Sequence, residues 1–128
     1  NELEPSFKDK NVRFTGFVED IDNEIQQSFL TVVPVFSGSG TRLKILESIK
    51  NGTPVVTSTK GVEGLTALEA GTDYSLADSP EEFARSIISL SENPVKYSEL
   101  QRSGYDKVRN HYNIETNAQI LIDWICKE

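Results

Sequence analysis

The sequence predicts an α/β fold, an open parallel sheet with helices on both faces, and three observations lead there. Apolar, β-branched stretches alternate along the chain with amphipathic ones, the pattern of strands followed by helices rather than of a sandwich or a bundle. Two of the apolar stretches are near-continuous valine runs, as expected of parallel strands covered on both faces. The length, 128 residues with 37% hydrophobic and 26% charged side chains, suits one packed domain and is far from the composition of a disordered chain. Four strands are expected, Asn11–Phe17, Leu30–Val35, Thr53–Ser58 and Tyr74–Ala77, with Pro34 and Pro54 limiting the middle two because proline cannot donate to a ladder.

The helices follow from caps and spacing. Ile21, Ile25 and Phe29 recur every four residues behind the cap candidate Asp20, predicting a short helix with an apolar stripe. The next runs from Thr41 to Lys50 and stops at Asn51-Gly52, where glycine can close it. Ser79, Pro80 and Glu82 supply a cap, a first-turn proline and a capping-box acid, and Phe83, Ala84, Ile87 and Ile88 supply the buried face behind them. Asn93-Pro94 separates that helix from another reaching His111, and Asn113 opens a last one through Trp124 and Ile125. The opening residues Asn1–Lys10 are polar and interrupted by Pro5, reading as a helix tail or loop where a doubly wound domain would open on a strand. The expectation is one domain over residues 1–128, truncated, without its first strand.

Composition excludes several functions. Thirteen basic against twenty acidic residues leave a charge of −7, which argues against nucleic acid as a partner and requires any anionic ligand to be captured locally. The single cysteine, Cys126, rules out an internal disulfide, and with one histidine, His111, neither a zinc site nor a Ser-His-Asp triad can be assembled; no metal is expected. No apolar run is long enough to span a bilayer, and the chain reads as soluble.

The chemistry concentrates between Val33 and Val56, where a buried strand enters Ser37-Gly38-Ser39-Gly40-Thr41 and passes directly into a helix. Free N–H groups, the positive helix end and glycines that admit a ligand to the backbone make a phosphate site in outline. On the helix, Leu43, Ile45, Leu46 and Ile49 share an arc that faces the sheet, and Arg42 falls inside it, positioned to leave the core by reaching toward an anion. Glu47 lies at the edge of the stripe, placed to accept hydrogen bonds from ribose hydroxyls, or simply to pair with Lys44 on the surface. The glycine pattern departs from G-x-G-x-x-G, since Leu43 stands at the third glycine, and a dinucleotide site is disfavoured.

GSGTRLKILESIKNGTPVV, followed by Gly61-Val62-Glu63-Gly64-Leu65 and Tyr74-Ser75-Leu76-Ala77-Asp78, resembles the C-terminal, donor-binding domain of retaining glycosyltransferases that use nucleotide sugars (glycosyl transferases group 1, GT-B architecture, two Rossmann-like domains facing a cleft). The resemblance implies that Gly38, Ser39, Gly40, Thr41, Arg42 and Leu43 surround the donor diphosphate, that Glu47 holds the ribose, and that Gly16, Phe17 and Val18 form the turn against the base. Phe17 fits an ordinary core aromatic as well. Gly61 and Glu63 correspond to a loop beside the cleft, and Glu63 alternatively starts a short helix. Many members carry a glutamate eight residues before Glu47, where this chain has Ser39, and the basic Arg-Lys pair that neutralises the diphosphate has no counterpart.

The resemblance further implies an acceptor-binding domain preceding this one in the full-length protein, a nucleotide sugar as donor with no further cofactor, and glycan or glycolipid synthesis in the cytoplasm. Peripheral association with the inner face of the membrane belongs to the same expectation, as does a final helix that crosses to the other domain and exposes Trp124 and Ile125. The fragment alone is expected to be inactive. Two other readings stand beside it: a flavodoxin-like or receiver-like module, against which the strand ends Phe17, Val35-Phe36 and Ser58 lack the acids a receiver needs, and an inactive glycosyltransferase-like scaffold.

Overall fold

The two valine-rich segments form β1 (Thr31–Val33) and β2 (Val55–Thr57), and β3 (Ser75–Leu76) joins the far side of β2. The computed structural model describes residues 11–39 and 42–113, with residues 118, 122, 123, 125 and 126 beyond them. Both pairings are parallel and the order is β1-β2-β3, with Val32 opposite Val56 and Thr57 opposite Leu76. The strands are shorter than the sequence predicts, and the prolines explain it in part. Pro34 follows β1 directly, while Pro54 precedes β2 and contributes only its carbonyl, which accepts the Thr31 N–H at 2.9 Å.

Neighbouring residues of a strand face opposite ways, and β2 uses this to build two cores. Val55 packs with Val33, Ile45, Ile49, Leu68, Tyr74 and Val108, whereas Val56 packs with Ala77, Phe83, Leu90 and Leu100. Both valines are fully buried, each stabilising the fold by about 1.5–3 kcal/mol. Among the described residues the helices are α1 (Ile21–Gln26), α2 (Leu43–Lys50), α3 (Pro80–Glu92) and α4 (Pro94–His111), and α1 packs on α2. Helix α2 supplies the first core and α3 the second, and α4 is long enough to give Leu100 to one and Val108 to the other. The fold is the expected open α/β arrangement with helices on both faces.

Helix α4 is fastened to the sheet by a close contact. A Cβ at Gly104 would stand 2.6 Å from the carbonyl oxygen of Asp73, so only glycine admits this approach. The buried Asp73 carboxylate accepts the Glu69 N–H at 2.9 Å and the Ser103 hydroxyl at 2.6 Å, with the Lys107 ammonium at 4.0 Å. A buried charge is tolerated when it is paired and hydrogen-bonded in this way.

The caps form largely where the sequence places them. The Asp20 side chain accepts from Asn23 N–H at 3.0 Å, Ser79 from Glu82 N–H at 3.3 Å and Asn93 from Lys96 N–H at 3.0 Å. The Glu82 carboxylate reaches one residue further back than a capping box requires, accepting the Asp78 N–H at 2.6 Å. The Asp78 carboxyl in turn is held below its ordinary range, chiefly by the Thr59 hydroxyl and then by the Thr59 N–H.

Several expectations need correction. Asn11–Phe17 is not a strand: these residues are irregular and exposed, and no ladder among the described residues includes them. β-Branched composition gives a segment a preference for pleated surfaces, but a strand also needs a neighbour to pair with. The stripe of α1 is only partly used, since Ile21 and Phe29 are exposed and the helix ends at Gln26. Phe29 instead stacks on Tyr97 of α4, centroids 4.7 Å apart. In α2 the core face is Ile45, Ser48 and Ile49, with Leu43 exposed; in α3 it is Phe83 and Leu90, with Ala84 and Ile88 exposed. The opening Asn1–Lys10, most of the last helix and Trp124 lie outside the described residues, while Ile122 and Ile125 are exposed.

Candidate functional site

Parallel strands place their carboxyl ends at one edge of the sheet, and the segments leaving β1 and β2 there carry the candidate residues. Two hydroxyls tie these ends together. Thr57 donates to the Val33 carbonyl at 3.1 Å, and Ser58 donates to the Val35 carbonyl. The Gly61 N–H then returns to Ser58, to its carbonyl at 2.9 Å and its hydroxyl at 3.1 Å. A Cβ at Gly61 would collide with Thr57 Oγ1, so the turn closes this tightly only with glycine. The loop after β2 is thereby held beside the loop after β1.

This fastening brings Arg42 and Glu63 together, with Arg42 Nη2 3.7 Å from Glu63 Oε2. The Arg42 side chain is only 10% exposed, and its Nε is buried without a hydrogen-bond partner. Glu63 is 59% exposed, and the same Oε2 accepts a hydrogen bond from the Lys60 ammonium. That hydrogen bond, together with the Lys60 charge and more weakly that of Arg42, holds the Glu63 carboxyl below the usual carboxylate range. Glu63 sits in a turn and not at the start of a helix.

The start of α2 is open. Arg42 occupies the N-cap position with φ −91° and ψ 39°, makes no side-chain cap and is followed by no acid in the first turn. Ile45 and Leu46 N–H both return to the Arg42 carbonyl, at 3.0 and 3.4 Å, leaving the N–H groups of Leu43 and Lys44 outside the helical ladder. A helix beginning at Leu43 corrects the expected start at Thr41. Gly38, at φ +97°, takes the left-handed conformation that glycine allows, and Ser39 is exposed. Gly40 and Thr41 lie outside the described residues.

Glu47 is exposed on α2 one turn beyond the open end, and it forms no ion pair with Lys44. Gly16 has φ +65°, Val18 is half-buried, and Phe17 is 92% exposed, so Phe17 is not a core aromatic. Phe17 and Val18 line a recess of about 400 Å³ with Arg13, Phe14, Thr15 and Glu24. Among the described residues the structure thus joins Arg42 to Glu63, and leaves Glu47 and Phe17 as exposed side chains on separate elements. Sequence reasoning missed Lys60, although its i,i+3 spacing to Glu63 within KGVE was available, and it missed Thr57 and Ser58, whose hydroxyls read as ordinary strand ending.

The family model for glycosyl transferases group 1 matches residues 1–93. The chain belongs to this family. No curated protein matches it in sequence. Among solved structures it is similar to a 1.35 Å crystal structure of the C-terminal domain of a glycosyl transferase group 1 family protein (LpcC) from Francisella tularensis, with a TM-score of 0.70 and 20% identity. The match covers 88% of this chain and 60% of that one, so the chain spans less than two thirds of the solved chain. The likeness in fold agrees with the Rossmann-like, C-terminal GT-B half expected from the sequence. A receiver-like module is not what the group 1 family match describes. Among the described residues no helix is long and apolar enough to cross a membrane.

Proposed function

We propose that this group 1 glycosyltransferase domain binds the nucleoside-diphosphate part of a sugar donor, with the diphosphate at the N-terminus of α2. The observation that carries the reading is the pairing of an uncapped, acid-free helix start with the buried, unpartnered Nε of Arg42. A buried donor without an acceptor is costly, by about 1–3 kcal/mol, and a phosphate oxygen would satisfy it together with the Leu43 and Lys44 N–H groups. Gly38, in its left-handed conformation, lets the ligand approach beside the exposed Ser39, and Gly40 and Thr41 belong to the proposal as further diphosphate contacts. Glu47 accepts hydrogen bonds from the ribose, and Gly16, Phe17 and Val18 border the base.

In the full-length enzyme this half works with a preceding acceptor-binding domain, and the reaction is a hexosyl transfer in cell-surface glycan or glycolipid synthesis on the cytoplasmic side, with peripheral contact to the inner membrane face. As the sugar departs, the diphosphate gains negative charge, and the helix N–H groups with Arg42 stabilise it electrostatically, with neither a metal nor a further cofactor in the scheme. The isolated 128-residue chain binds donor without transferring sugar.

Calorimetry with UDP, GDP, ADP and dTDP tests the reading. One of them binds the wild-type chain, and Glu47→Ala weakens that binding about fivefold to tenfold, the loss of one or two hydrogen bonds to ribose. Undiminished affinity in Glu47→Ala would remove that residue from the site.

A further inference from the structure

Arg42 and Lys60 come from different segments, the cap of α2 and the loop after β2, yet both address one oxygen, Oε2 of Glu63. We propose that Glu63 is a built-in stand-in for the ligand's phosphate: its carboxylate occupies a two-cation site formed by Arg42 and Lys60, and a phosphate group takes its place on binding. This rests on the donor reading above. It adds Lys60 as a binding residue and makes Glu63 an internal competitor that sets affinity.

Three features support the exchange. The carboxylate serves Arg42 poorly, because it stands 3.7 Å from Nη2 and leaves Nε without a partner. A guanidinium offers a planar fork, and a phosphate presenting two oxygens can engage Nε and Nη2 at once. Glu63 is largely exposed, so its carboxylate is rehydrated when it leaves, and its pair with Lys60, exposed on both sides, holds only weakly. The loop also has room to turn aside at Gly64, which has φ +89° and no atom within 4 Å of where a Cβ would be. Gly61 stays packed on Thr57 and keeps Lys60 near the site when Glu63 swings out.

A diphosphate carries more than one negative charge, and a chain at −7 needs a second local cation besides Arg42 to hold it. Lys60 is already there, neutralised by Glu63 until an anion with more charge arrives.

Inorganic pyrophosphate is the probe that reads this site without involving ribose or base. Calorimetric titration of the 128-residue chain is compared with Glu63→Gln, which keeps the side chain's size and removes its charge, and with Glu63→Gln combined with Lys60→Ala, all checked for folding by circular dichroism. Glu63→Gln should bind pyrophosphate roughly threefold to tenfold tighter, and adding Lys60→Ala should abolish the gain. Equal or weaker binding by Glu63→Gln overturns the proposal, as does a gain that survives Lys60→Ala. Parallel titrations with the four nucleoside diphosphates separate the two readings. A wild-type chain that binds one of them while Glu63→Gln binds it no better loses the stand-in and keeps the donor site. A Glu63→Gln gain for pyrophosphate without affinity for any nucleoside diphosphate keeps the two-cation site and removes the donor.

Discussion

Helices α2 and α3 both follow a parallel strand, yet their first turns are built in opposite ways. At α3 the Ser79 hydroxyl accepts from Glu82 N–H, Pro80 removes one free donor, and Glu81 and Glu82 put negative charge against the positive end. At α2 no side chain caps the helix, no acid stands in the first turn, and the cap residue is itself a cation. The first arrangement meets the helix's needs from within the chain. The second leaves donors and positive potential unspent at the edge of the sheet where ligands of open α/β folds bind, which is the difference between a helix start that serves stability and one available for an anion.

Arg42→Ala is the largest way to break this contrast. It removes the cation and its orphaned Nε, so affinity for pyrophosphate and for the preferred nucleoside diphosphate should fall at least tenfold, in line with about 1.5–3 kcal/mol for a charged hydrogen bond. Thermal stability should move less than binding, because the lost packing is offset by relief of the buried donor. Arg42→Lys should recover only part of the affinity, since an ammonium lacks the fork. The reverse experiment at α3, Ser79→Ala, should lower stability by about 1 kcal/mol, seen as a melting point several degrees lower, while pyrophosphate affinity stays unchanged. If Ser79→Ala weakened binding as much as Arg42→Ala, the two helix starts would not be functionally distinct.

How much of this was legible in the sequence depends on whether the signal was local. The Ser79-Pro80-Glu82 start of α3 carries its own hydrogen-bonding partners within four residues, and it forms with only the Glu82 carboxylate shifted to Asp78 N–H. Arg42 stands within an apolar arc, from which the sequence has it leave the core toward an anion; in the structure its side chain stays nine-tenths covered, beside Glu63. Its meeting with Glu63 depends on hydroxyls of Thr57 and Ser58 reaching across to β1, a tertiary event that no spacing within either loop encodes. Asn11–Phe17 failed for a related reason, because its strand-like composition says nothing of whether a ladder lies alongside. Leu43 and Ile88 lie on apolar arcs but at their edges, where the three strands among the described residues leave side chains uncovered.

The finest test converts one helix start into the other. Leu43 is exposed at the first position of α2, so Leu43→Asp introduces an acid there without disturbing the core, giving α2 the charge that α3 already has. A carboxylate in the first turn interacts favourably with the helix dipole, so the variant should gain about 0.3–1 kcal/mol in denaturant unfolding at low salt. The same charge would repel an incoming phosphate and compete for the open N–H groups, and pyrophosphate affinity should fall by roughly threefold to fivefold. Leu43→Asn separates charge from shape, since it can accept a hydrogen bond but carries no charge, and it should keep most of the affinity. Stability and anion binding should therefore move in opposite directions at this one position. Had the end of α2 no role beyond folding, Leu43→Asp would stabilise the chain and leave pyrophosphate binding where it was.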